Sequence, residues 1–184
     1  MTVDPEAANN RVIAEYFKDR TEAAFAELFY AYAPSVVRYF RARGCDAALA
    51  EDLTQDVMLK VHRHAADLRD SSLFRAWLFK IARNILYQHW KGGDNNLERV
   101  DLEMLDSRIS LSPNAFSPAS PGFEVAEWLS CLVPQERQVM LLRYLDQLEM
   151  HEIAAVLEVP IGTVQWRIFR SKKKLASLFR KRLI

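Results

Sequence analysis

The chain has only five glycines in 184 residues, and nowhere do apolar and polar residues alternate over the length of a strand. A β-rich fold needs that alternation and turn residues to punctuate it, so the expected fold class is all-α. Cysteine is scarce too: Cys45 and Cys131 lie far apart and neither has a CxxC neighbour. That argues against a disulfide framework and against a zinc site, and both thiols are expected to be buried. No stretch of membrane-spanning length is without charges, and the opening MTVDPEAANNRV has neither the basic region nor the apolar run of a secretory signal. The expected location is the cytoplasm. Excess charge is also missing, since 25 Lys and Arg against 24 Asp and Glu leave +1, which gives little general attraction to a polyanion. There is no glycine-rich phosphate loop, no nucleophile with a plausible base and no cluster of metal ligands. No enzyme, cofactor, metal or small-molecule substrate is therefore expected.

What the chain does have is apolar residues, 50% of the total, recurring at helical spacing in a length that suits one large domain or two small ones. Between Thr21 and Arg43, Phe25, Leu28, Phe29 and Tyr32 form helical core material. Pro34 is expected to end or kink that helix near Tyr32, with Val36, Val37 and Phe40 resuming the pattern. Gly44 closes the segment and Asp46 is placed to cap the next helix. There Leu49, Leu53, Val57 and Val61 make one stripe, and Asp52, Gln55, Asp56 and Lys60 fall on the polar side. Two carboxylates one turn apart, with no histidine beside them, suit a solvated or partner-docking face better than a metal site. His62 and His64 are two apart, point different ways on a helix, and are expected at the surface. The polar break Asp67 to Ser72 follows. Beyond it Phe74, Leu78, Ile81 and Ile85 form a stripe, while Lys80, Arg83, Asn84, Tyr87 and Lys91 converge on the other side. Cations, an amide and a tyrosine with Trp77 and Trp90 nearby suit single-stranded DNA, and an ordinary amphipathic surface would share the pattern.

Residues 92–122, rich in Gly, Asn, Ser and Pro with a run of carboxylates, read as a linker. After it Val125, Trp128 and Leu129 form a stripe, Pro134 opens a helix, and Val139, Leu142 and Leu145 continue it. The most specific stretch is EMHEIAAVLEVPIGTVQWRIFRSKKKL, from Glu149 to Leu175. It reads as two helices joined by a turn, broken at Val159-Pro160 because a residue before proline is pushed out of the α region. In the second helix Ile161, Val164, Ile168, Ser171 and Leu175 share one side. Gly162, Trp166, Phe169 and Lys173 share the opposite side, flanked by Thr163, Gln165, Arg170 and Lys172. Amide, guanidinium and aromatic groups turned outward suit base edges and thymine methyls in a major groove. After Glu158 the chain carries eight cations and no carboxylate, a local nucleic-acid footprint on a nearly neutral chain.

Four segments in order, FxELFxxYxPxVxRYxRxR, AEDLTQDVMLKV, FRAWLFKIARN and VPQERQVMLLRYLDQLEMHEIAAVLEVPIGTVQWRIFRSKKKL, resemble the successive conserved regions of an extracytoplasmic-function sigma factor of the sigma-70 family. The resemblance covers nearly everything after residue 20. It implies two small helical domains joined by a flexible linker, the second containing a helix-turn-helix. The divisions would be an N-terminal extension at 1–20, a region 2 domain at 21–91, the linker at 92–122 and a region 4 domain at 123–184. It further implies a subunit that binds core RNA polymerase, recognises a two-element promoter and helps melt the start site. Docking on the polymerase clamp would fall to Asp52, Gln55, Asp56 and Lys60. The minus-ten element would be read by Asp67, Arg69, Asp70, Ser71 and Ser72 of the loop with Lys80, Arg83, Asn84 and Tyr87 of the helix. The minus-thirty-five element would be read by Gly162, Thr163, Gln165, Trp166, Phe169, Arg170 and Lys173. An anti-sigma partner is implied by resemblance alone. The chain departs from the common pattern at Gln165-Trp166, Asp70, Glu149 and His151, so base preferences do not carry over and the first motif helix is expected to start less firmly. The competing reading is a stand-alone helix-turn-helix regulator with a sensing N-terminal half.

Overall fold

Thr21 lies in extended backbone and its side chain accepts from the Ala24 N–H at 3.2 Å, which starts the helix Glu22–Arg41. This is α2 of a computed structural model that describes residues 5–91 and 128–182, with side chains between residues 10 and 178. The linker 92–122 and Val125 lie outside the described residues. Contrary to expectation, α2 runs unbroken through Pro34. Pro34 is on the exposed side, where the missing N–H and the ring fall toward solvent, while Tyr32, Val36 and Phe40 anchor both halves of the helix in the core. At its end Gly44 adopts φ 96°, a value that favours glycine, and Asp46 then caps α3 (Ala47–His64) by accepting from Leu49 N at 2.8 Å. Leu53, Val57 and Val61 of the expected stripe are buried and Leu49 is half-buried.

A helix precedes these elements: α1, Pro5–Asp19, drives Ile13 and Tyr16 into the core, and the Tyr16 ring meets Phe17 and Phe25. Short 3-10 turns at Ala65–Asp67 and Ser71–Leu73 carry the chain from α3 into α4 (Phe74–Trp90), where Phe74, Leu78 and Ile85 are buried as patterned. The second half resumes with a short helical turn at 128–130. Pro134 sits at the start of α5 (Pro134–Met140), which widens into a π-turn at Leu141–Leu145. Then come α6 (Met150–Leu157) and α7 (Ile161–Arg182), the helix-turn-helix. Among the described residues there is no strand, and the fold is all-α. The apolar core is continuous across both halves: Phe40, Val57 and Leu86 share one cluster with Val139, Ile153, Val156 and Val164. α6 packs directly across α4.

Candidate nucleic-acid interface

The two motif helices meet at a turn built without glycine. α6 ends at Glu158, which takes the left-handed conformation (φ 56°, ψ 41°) and donates its N–H to Ala154 O. The Pro160 carbonyl then accepts from Thr163 N at 2.9 Å, so α7 starts one residue beyond the proline. The weak start expected for α6 is not found. Glu149 and Glu152 form a capping box in which the Glu152 carboxylate accepts from Glu149 N at 2.7 Å and the Glu149 carboxylate, standing where a hydroxyl is common, accepts from Glu152 N. The Glu149 carboxyl is held below the usual range, chiefly by a hydrogen bond from Arg143.

On α7 Val164, Ile168 and Ser171 face the core and Leu175 is half-buried, while Ile161, expected inward, is exposed because the helix has barely begun there. The outward side keeps its expected composition. Gly162, Gln165, Trp166, Phe169, Arg170 and Lys173 are exposed and Thr163 is half-buried. Trp166 is 54% and Phe169 68% exposed, a degree that packing among the described residues does not explain. The Arg170 guanidinium lies 5.0 Å from the Trp166 ring centre. Gly162 has nothing within 4 Å of where a Cβ would stand, so its space lies toward solvent.

The loop residues Asp67, Arg69, Asp70 and Ser72 are exposed and Ser71 is half-buried. Asp70 accepts from Ser72 N at 2.9 Å, and hydrogen bonds from the Ser72 hydroxyl and N–H hold its carboxyl below the usual range. Asp67 is paired with His64 at 3.0 Å, and His62, though exposed, meets the Phe25 ring at a tilt and the Tyr16 hydroxyl at 3.3 Å.

The polar side of α4 is not the open face that its pattern implied. Asn84 is exposed, but Arg83 and Tyr87 are buried beneath the second half. Arg83 Nε reaches the Tyr87 hydroxyl at 3.3 Å, its Nη1 points at Val156 O at 3.5 Å, and Gln138 donates to the Tyr87 hydroxyl at 3.2 Å. Lys80 bridges to Glu158 at 2.7 Å, which lowers the Glu158 pKa. Arg75 donates to Gln147 O at 2.6 Å and pairs with Glu152. A cleft of about 370 Å³ lies between Ser71 and Ser72 of the loop, Asn10 and Ile13 of α1, and Glu152 of α6 with its capping residue Glu149. Spacing along α4 separates apolar from polar positions, but it cannot show that partners 50 to 80 residues away will cover the polar side.

On α3, Asp52, Gln55 and Asp56 are exposed and Lys60 is half-buried, its ammonium 3.4 Å from Gln88 Oε1. Leu59 shares that face and is 49% exposed; its i+3 spacing from Asp56 was the signal that sequence reasoning passed over. Three other residues went unread because their partners are remote: Arg43, Asp146 and Glu136. Arg43 Nη2 binds Asp146 Oδ2 at 3.0 Å in a fully buried ion pair between the halves, and Glu136 binds two cations of α7. Among the described residues no group of three or more His, Cys, Asp or Glu is arranged to hold a metal, and no helix is long and apolar enough to cross a membrane.

Family models match in both halves: Sigma-70 region 2 over residues 28–95 and Sigma-70 region 4 over residues 123–175. The chain is 31% identical to the ECF RNA polymerase sigma factor BldN of Streptomyces coelicolor, over 94% of its own length and 67% of that protein. It is 26% identical to the ECF RNA polymerase sigma-E factor of Escherichia coli, over 92% of its length and 94% of that protein. Its fold is similar to CnrH in complex with the cytosolic domain of CnrY (TM-score 0.65, 24% identity, 95% of this chain and 98% of that one). It is also similar to the sigma factor RpoE in complex with the anti-sigma factor NepR from Bartonella quintana (TM-score 0.60, 22% identity, 85% and 96%). With the helix-turn-helix, the four ordered motifs and both family matches in agreement, the chain belongs to the extracytoplasmic-function RNA polymerase sigma factors of the sigma-70 family.

Proposed function

We propose that this sigma factor acts in the cytoplasm as a promoter-specificity subunit without catalysis of its own, and that its described surfaces divide the work. The acidic face of α3, Asp52, Gln55 and Asp56 with Leu59 and Lys60, docks on core RNA polymerase. The outward face of α7 reads duplex DNA upstream, and the 67–72 loop with Asn84, Lys80, Arg83 and Tyr87 meets melted bases downstream. The observation that carries the reading is the pair of exposed aromatics, Trp166 and Phe169, set among amide and cationic groups on a helix-turn-helix recognition helix. The burial of Arg83 and Tyr87 adds a condition: α6 must leave α4 before those side chains reach DNA, so the closed arrangement is one that cannot initiate. An anti-sigma partner fits the same picture, because RpoE, whose fold this chain shares, is held in a complex of that kind.

The test is assembly. Mixed with core polymerase on a sizing column, the chain is expected to comigrate, and Asp52→Lys with Asp56→Lys to elute alone at unchanged helicity, since exposed carboxylates contribute little to folding. Specific promoter binding by the chain alone, at the affinity seen with polymerase, would favour the stand-alone regulator instead.

A further inference from the structure

Glu136 is a charged side chain in the wrong place for a structural surface residue: it is 2% exposed, in the first turn of α5, and turned toward the recognition helix. Its two oxygens are divided between cations one turn apart on α7. Oε1 takes Arg170 Nε at 3.0 Å and Oε2 takes Lys174 Nζ at 2.7 Å. A guanidinium has five N–H donors, and binding through Nε leaves the four on the two terminal nitrogens. Arg170 nevertheless remains half exposed, with Trp166 beside its guanidinium.

We propose that Glu136 is a positioning residue for base reading, holding Arg170 so that it presents its terminal nitrogens end-on to a guanine. This rests on the reading of α7 as the duplex-binding helix. An arginine tied at Nε cannot pair side-on through that nitrogen. The end-on fork that remains matches the O6 and N7 acceptors of guanine in the major groove. The Trp166 ring, 5.0 Å from the guanidinium, further limits its swing. The same carboxylate withdraws Lys174 from phosphates, so it lowers general attraction to DNA while raising discrimination at one base pair. Specificity would then be set partly from α5, outside the recognition helix.

The probe is a duplex promoter library randomised across the upstream element, selected by polymerase carrying each variant and read by sequencing, with binding of the selected duplex followed against salt. The wild type is expected to enrich a G·C pair at one position, and Arg170→Ala to lose that preference. Glu136→Gln should cut the preference at that same position by about tenfold or more, leave the other positions alone, and steepen the salt dependence by about one released counterion as Lys174 becomes available. Lys174→Met should leave discrimination intact. Glu136→Asp keeps the charge but shortens its reach by one methylene, so it should lower the guanine preference at that position with little change in salt slope, and it serves if Glu136→Gln proves too unstable to assay. If Arg170→Ala lowers discrimination and neither Glu136→Gln nor Glu136→Asp does, the positioning role is overturned. If Arg170→Ala alters no position, the reading of α7 itself fails and the proposal with it.

Discussion

Burial pushes the Cys45 thiol up to about 11, with the Asp46 carboxylate adding to the rise and Arg43 and Arg41 working against it. At pH 8 only about one Cys45 in a thousand would be a thiolate, and that thiolate has no open approach. Cys131 is exposed, although sequence alone suggested that both cysteines were buried. The difference is one of position. Cysteine as a residue type favours the interior, but Cys131 sits at the turn between residues 128–130 and Pro134, where the chain leaves one helix and starts another. Iodoacetamide at pH 8 is expected to modify Cys131 rapidly and Cys45 only after denaturant is added, as read by intact mass. Equal labelling of both in the native protein would contradict the placement of Cys45. The same limit applies to Arg83 and Tyr87, whose residue types signal an outward face although their surroundings bury them.

At the level of elements, most of the pattern was legible because helix stripes and caps are local. Asp46 capping α3, Pro134 opening α5, and Val164 and Ile168 facing inward each depend on neighbours within one or two turns. The unbroken α2 was not legible. Pro34 disfavours a helix locally, but Tyr32, Val36 and Phe40 bury apolar area on both sides of it, and tertiary packing outweighs the local cost. The turn between α6 and α7 allows a direct test of such competition. Glu158 at φ 56° bears a left-handed cost of roughly 1–2 kcal/mol that glycine would not bear, whereas its bridge to Lys80 is largely exposed and contributes about 1 kcal/mol at most. Glu158→Gly is therefore expected to hold or raise the thermal midpoint, and Glu158→Val to lower it. A fall of more than about 1 kcal/mol in Glu158→Gly would mean that the bridge outweighs the turn.

For the whole molecule the question is what holds the helix-turn-helix half on the face of α4: the continuous apolar core supplies the attraction, and a buried pair that no local pattern signals tunes it. The Arg43 guanidinium stacks 3.5 Å over the Tyr39 ring, donates to Tyr39 O at 2.9 Å, and reaches Asp146 across the interface at 3.0 Å. Both side chains are fully buried, and Arg43 Nε and Asp146 Oδ1 find no hydrogen-bond partner among the described residues. Loss of hydration is therefore incompletely repaid, and burial raises the Asp146 pKa despite the nearby Arg43. A carboxyl whose pKa is raised on closure contributes most below its ordinary range. That contribution is lost as pH rises through the raised value. Glu158, lowered by Lys80, acts in the opposite sense, supporting closure above the ordinary carboxylate range and losing that support as pH falls. Asp146→Ala leaves the Arg43 charge buried and unpaired at a cost of about 3–5 kcal/mol, so it should open the halves, enlarge the radius of gyration in solution scattering at retained helicity, and speed assembly with core polymerase. Arg43→Met combined with Asp146→Leu removes both charges at similar volume and should close as well as the wild type or more tightly, by up to about 4 kcal/mol, with slower assembly. The double variant should also lose the part of the pH profile in which closure weakens between the ordinary carboxylate range and the raised Asp146 value. Three proteins of equal dimensions and equal assembly rate, all fully helical, would show that the buried pair does not govern the closure.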